Sequence, residues 1–124
     1  HCILFCPHPE EIALDVLGPA LERHPVFPDR TNVEFVAVEG DQLRLRVWER
    51  GSGETLACGT GATAAAIITN YALQHGTTKY RIQVPGGELI VGFTHEAGTQ
   101  NYTNIRLTGP ARRVFSGVFE TDNF

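Results

Sequence analysis

The sequence has 124 residues, enough for one domain and too few for two. With 42% hydrophobic and 19% charged residues it has the balance of a globular chain, not of a disordered, collagen-like or disulfide-dense one. A net charge of −4 argues against a nucleic-acid binder that works by neutralising phosphates, and no apolar run reaches the roughly 18 residues that a membrane span requires.

The chain opens on His1-Cys2-Ile3-Leu4-Phe5, already inside an apolar, strand-like run, and it contains no Met; we read it as a piece of a longer chain. Of its three cysteines, Cys2 and Cys6 flank this strand and stand about 13 Å apart along it. A disulfide needs Cα atoms within about 7 Å, so free thiols and a reducing, cytoplasmic setting are expected. Alternation places Cys2 and Cys6 on one face and His1 on the other, and both cysteines read as small buried apolar residues. His1, Cys2, Cys6 and His8 are metal-ligand types, but no second Cys/His pair completes a tetrahedral set, and no metal is expected.

Pro7-His8-Pro9 is a turn, and Pro9 opens a helix over Glu10 to Leu17 that Gly18-Pro19 breaks. A short second helix runs from Pro19 to His24 and stops at Pro25. From Val33 the pattern becomes one of strands: Val33 to Glu39, a hairpin turn at Gly40-Asp41, then Leu43, Leu45 and Val47 alternating with Arg44, Arg46 and Trp48. Further strands are predicted over Tyr80 to Val84, Glu88 to Phe93, Tyr102 to Leu107 and Arg112 to Phe119, and the tail from Glu120 reads as polar and frayed. Between Glu54 and Lys79 there is no charged side chain, and within that segment Gly61 to Gln74 is an Ala-rich helix with Gly76 as its C-cap. A helix without a charged face is normally buried on all sides. The expected architecture is therefore α+β, with an antiparallel, barrel-like sheet wrapped around a central buried helix.

The chemistry is concentrated in Glu49-Arg50-Gly51-Ser52-Gly53-Glu54-Thr55-Leu56-Ala57-Cys58-Gly59-Thr60-Gly61-Ala62. This segment carries a strand into the helix and sets a lone Cys58 where the helix begins. A thiol there meets the positive end of the macrodipole and is expected to ionise more readily. Gly59-Thr60-Gly61 offers backbone N–H groups with little bulk around them, a site for a carboxylate or phosphate. Glu49 and Arg50 leave the strand on opposite faces, so only one of them easily points at a bound ligand. Together these features describe a thiolate acting as base or nucleophile against a small acid. Gly59 to Ala64 also fits a dinucleotide fingerprint, but a long loop precedes it and no acidic residue follows at the required distance. A Walker phosphate loop is absent from the sequence.

Glu49 to Ala62 resembles the signature around the cysteine in the second half of diaminopimelate epimerases. The likeness runs on through Leu17-Gly18-Pro19, His24-Pro25, Phe27 to Val33, Leu45-Arg46-Val47, Val84 to Gly87 and Thr108 to Ala111. The resemblance implies an isomerase without cofactor that interconverts LL- and meso-diaminopimelate on the route to lysine and peptidoglycan. Two cysteines on opposite faces of the α-carbon, one from each of two domains, move the proton. It implies that Cys58 is one of these, that Gly59 and Thr60 hold the reacting α-carboxylate, and that Asn32 and Arg50 bind the distal end. It also places Glu49 close to both the distal amine and the thiol, and His1 near the site. On this reading residues 1–124 are a single domain, the C-terminal half of the enzyme. The partners are diaminopimelate and the missing N-terminal domain with the second cysteine, with a homodimer as a further association, no nucleic acid and no membrane. The chain alone is expected to be inactive. The competing readings are a proline racemase-like enzyme, which shares the Cys-Gly-Thr-Gly helix start, and a non-catalytic binding domain of the same fold.

Overall fold

In the computed structural model, which describes residues 1–121, a seven-stranded sheet lies between two helices packed on its opposite faces. The strands are β1 (Cys2–Phe5), β2 (Val33–Glu39), β3 (Gln42–Glu49), β4 (Gly53–Thr55), β5 (Lys79–Val84), β6 (Gly87–His95) and β7 (Tyr102–Thr108). Helix α1 (Leu14–Glu22) follows β1, and α2 (Gly59–Leu73) follows β4. The sheet order is β1-β2-β3-β5-β6-β7. The first half of β3 pairs with β5, and its second half pairs with β4 through Val47–Thr55 and Trp48–Glu54.

Period-two alternation sorts the strand residues into the two layers. Ile3, Val36, Leu43, Leu45, Tyr80, Ile82, Val91 and Phe93 face α2 and meet its Ala62, Ala65 and Ala66. Val33, Phe35 and Leu14 form the second cluster on the α1 side, joined by Cys2, Leu4, Cys6 and Trp48. Helix α2 touches every strand except β4, so it is the central helix of the domain. Its far end is held by buried Asn70, whose Nδ2 donates to the carbonyls of His75 and Thr77 at 2.8 and 2.7 Å while its Oδ1 accepts from Tyr102 at 2.9 Å.

Several expectations are corrected. The sheet is mixed, because β1 runs parallel to β2 and β5 parallel to β3; β1 and β7 end its order, and no barrel closure is formed by these pairings. Helix α2 is buried on the sheet side only: Ile68, Tyr71 and Leu73 are each more than a third exposed, because the open sheet covers one flank. It ends at Gln74, in the left-handed region at φ 50°, rather than at Gly76. Gly18-Pro19 does not break a helix but lies inside α1, which starts at Leu14 after a 3-10 turn at Pro9–Glu11. Gly18 is small because a Cβ there would collide with the Trp48 indole, and Pro19, the sixth residue of this nine-residue helix, stays inside it although it has no N–H to donate to the preceding turn. The loop expected after β3 contains a strand, β4. Residues 112 to 119 form no strand, and of the tail from Glu120, residues 122–124 lie outside the described residues. Cys2 and Cys6 are half-buried rather than buried, and all three cysteines are free.

The polar face of β3 is not solvated either. Arg46 makes a forked pair with Glu54, at 2.8 and 3.1 Å, and its Nη1 donates to the carbonyls of Pro9, Glu10 and Ile12. One guanidinium thus fastens both the 3-10 turn and β4 to β3. An ammonium cannot span that fan of acceptors. Arg46→Lys is expected to destabilise the domain by about 1–3 kcal/mol, read as a lower urea midpoint with unchanged slope.

Candidate active site

The site is assembled where β2, β3 and the start of α2 meet. Cys58 has extended backbone (φ −132°, ψ 110°) and caps α2 with its sulfur, which accepts from the Gly61 N–H at 3.4 Å. Thr60 Oγ1 lies 3.5 Å from the same sulfur, and Asn32 Nδ2 donates toward it at 4.0 Å. The thiol, 8% exposed, is therefore ringed by donors at the positive end of a fifteen-residue helix. No acidic side chain occupies the first turn of α2 to compete for that position.

Gly61 sets how closely the groups beneath the helix approach. A methyl group there would stand 2.5 Å from Glu34 Oε1 and 3.3 Å from Cys58 Sγ, so carboxylate and thiol converge on the bare side of one glycine. Glu34 comes from β2, between Val33 and Phe35, on the face that meets α2. Its side chain has no exposure, and Oε1 lies 2.6 Å from Nδ1 of His1. Burial, the larger cause, and nearby Glu49 push its carboxyl up to about 7, while the α-amino group of His1 pulls the other way. Burial also raises the Cys2 and Cys6 thiols, followed by the charges of Glu34 and Glu10 respectively.

Two hollows adjoin at this point. The larger, about 830 Å³, is lined by His1, Glu49, Cys58, Gly59 and Thr60 and walled by Ile105 and Leu107 of β7. The smaller, about 200 Å³, is lined by His1, Arg30, Thr31, Asn32 and Arg50. Glu49 and Arg50, leaving β3 in opposite directions, each serve one hollow, and His1 lines both. Asn32 joins them, because its Oδ1 accepts from the Arg50 N–H at 2.7 Å while its Nδ2 faces the thiol. Glu49 accepts from the Thr55 hydroxyl at 2.6 Å, and the Arg50 guanidinium donates to the Asp29 carbonyl at 3.0 Å.

Every site residue predicted from the sequence thus falls on one of these two hollows. Sequence reasoning missed Glu34, Glu22, Ile105 and Leu107. Glu22 is buried, and its two oxygens accept from Trp48 Nε1 at 2.8 Å and the Gly51 N–H at 3.0 Å, fastening the turn that carries Glu49 and Arg50. The hydrogen bond from Trp48 is the main reason its carboxyl is held below the usual range. A signal for Glu34 existed: it is the one acidic residue among the apolar positions Val33 to Val38. The β7 wall left none, since Ile105 and Leu107 look like ordinary strand residues. Among the described residues no group of three or more His, Cys, Asp or Glu side chains could hold a metal, and no helix is long and apolar enough to cross a membrane.

Comparison with known proteins points to one family. The family model for diaminopimelate epimerase matches residues 1–114. Among curated relatives, the diaminopimelate epimerase of Gloeothece citriformis is 43% identical over 97% of this chain, and that of Desulfitobacterium hafniense is 44% identical over 98%. The chain spans 41% of the length of each. Among solved structures, a phenazine biosynthesis PhzC/PhzF protein from Clostridium difficile superposes with a TM-score of 0.55 at 19% identity, over 73% of this chain and 32% of that one, a likeness of fold.

The Glu34 carboxyl gives the site a pH signature. Its pKa is raised from the ordinary 4.5 to about 7 on folding, so the folded state holds the proton more tightly than the unfolded one. Its contribution to stability is therefore present below pH 4.5 and lost as pH rises through about 7. The unfolding free energy is expected to fall by about 2 kcal/mol between pH ~5 and ~8, allowing for the His1 bond, and Glu34→Gln should flatten that fall in urea titrations.

Proposed function

The chain belongs to the diaminopimelate epimerase family, and from that premise we propose that it supplies one half of a cofactor-independent active site that inverts the α-carbon of diaminopimelate. The observation that carries this reading is the donor-ringed Cys58 thiol at the start of α2, opening into the same hollow as Glu49 and His1. In one direction Cys58, as thiolate, removes the α-proton; in the other, as thiol, it returns a proton to the same face. The α-carboxylate sits against the N–H groups of Gly59 and Thr60, which a helix leaves without partners in its first turn. Charge that builds on that carboxylate as the α-proton leaves is met by those N–H groups and the helix dipole.

Diaminopimelate has an ammonium and a carboxylate at each end, and two adjoining hollows suit such a molecule. The reacting end occupies the larger one. The distal end reaches the smaller one, where Arg50 takes the carboxylate and Asn32 fixes the loop that carries it. Glu49 stands by the thiol and the ammonium. Inversion also needs an acid on the opposite face of the carbon. Cys2 and Cys6 do not supply it, because they pack with α1 on the far side of the sheet. We assign that role to a cysteine of a second domain, within the part of the relatives' length that this chain does not span. The reaction places the enzyme in lysine and peptidoglycan synthesis.

In the two-domain enzyme, Cys58→Ala is expected to lower kcat by about a thousandfold or more, and Arg50→Ala to act mainly on KM for diaminopimelate. The 124-residue chain alone should neither epimerise LL-diaminopimelate nor carry solvent deuterium into its α-carbon, followed by proton NMR in D2O. Near-normal turnover by the Cys58→Ala enzyme, or faster turnover of proline than of diaminopimelate, would defeat the reading.

A further inference from the structure

Glu34 is the one buried charged group at the site that the proposed reaction leaves without a task. It has no exposure, its Oε1 is bound to Nδ1 of His1 at 2.6 Å, and its Oε2 has no hydrogen-bond partner among the described residues. A buried carboxylate with one free oxygen is costly to keep, and an apolar residue in its place would suit the middle of β2 better. Its geometry is that of a group that orients an imidazole. With Nδ1 engaged from beneath, Nε2 is the ring nitrogen left over, and among the described residues it has no partner. His1 lines both hollows, and the second ring nitrogen is the one its Glu34 bond leaves for whatever occupies them.

We propose that Glu34 is a positioning residue: by accepting from Nδ1–H it fixes the His1 ring and leaves Nε2 as a proton acceptor at the junction of the two hollows. The proposal rests on the epimerase reading for its kinetic consequence but not for its tautomer. An imidazole free in water favours the proton on Nε2, and the Glu34 bond reverses that preference. Gly61 belongs to the same device, since only a residue without a side chain lets the carboxylate lie under the helix start. The side chains around Glu34 are His1, Glu49 from β3, Cys2 from β1 and, across Gly61, Cys58 from α2. Above the range in which Glu34 titrates it is ionised and accepts only, so the tautomer is best read at a pH of about 8.

The ring nitrogens of His1 are to be recorded by 15N-correlated NMR at that pH, in the two-domain enzyme. The expected spectrum has the proton on Nδ1 in the wild type and in Glu34→Gln, whose amide oxygen still accepts, and on Nε2 in Glu34→Ala. A wild-type ring protonated on Nε2 overturns the proposal without any variant. In kinetics, Glu34→Ala should lower kcat about tenfold or more with KM within about threefold, and Glu34→Gln should restore most of it. A tautomer that reverts in Glu34→Ala while kcat stays unchanged would refute the positioning role and leave the epimerase reading standing. Loss of that reading is reported separately, by an active Cys58→Ala enzyme.

Discussion

The depth at which α2 rests on the sheet governs everything else in this domain. Gly61, Ala62, Ala65 and Ala66 form the buried face of the helix, and side chains this small bring its backbone close to β2 and β3. Larger residues would lift the helix and with it the Cys58 sulfur, the Gly59 and Thr60 amides and the contact with Glu34. Close packing transmits such shifts because the core has no slack to absorb them. The absence of charge from Thr55 to Thr78 is thus not a sign of complete enclosure of the helix. Its outer flank, with Ile68 and Tyr71, remains open.

A second layer of control comes from polar groups under the turn between β3 and β4. Glu22 reaches across from α1 to the Gly51 amide, Asn32 holds the Arg50 amide, and Arg46 ties β4 down through Glu54. The three bonds come from α1, from the loop before β2 and from β3, so the turn is fixed from three sides. Glu49 and Arg50 are consequently presented by a braced backbone rather than by a free loop.

Much of this was legible in the sequence, for identifiable reasons. β2 follows its β-branched run from Val33 to Glu39 to the residue, and the Gly40 turn needs the positive φ that it has. Cys58 reads as a helix start because glycines follow it and charge disappears. What escaped notice depends on contacts distant in sequence. Pro19 looked like a stop because the role of Gly18, making room for Trp48 thirty residues later, is a tertiary fact. β4 is three residues long and exists by pairing with β3. The burial of Glu22 is invisible in the sequence without Trp48, the distant partner that compensates it. The order in which strands pair was equally hidden, and with it the two parallel junctions that make the sheet mixed.

The placement of the three thiols bears on stereochemistry. Cys58 faces the hollow above the α2 side of the sheet, whereas Cys2 and Cys6 pack with Leu14 and Phe35 on the other side. Strand alternation fixes that division, because Cys2 and Cys6 share one face of β1 while Ile3 takes the other. A proton can be removed and returned by one thiol with retention, but inversion demands donors on both faces of the carbon. Within this domain the sheet itself keeps the other thiols from the second face. The larger hollow is also lined by Ile105 and Leu107, which can contribute shape but no proton. On the reading proposed above, a group brought in against that hollow would complete the site, and the orientation of His1 at its junction with the smaller one would be this chain's own contribution to receiving it.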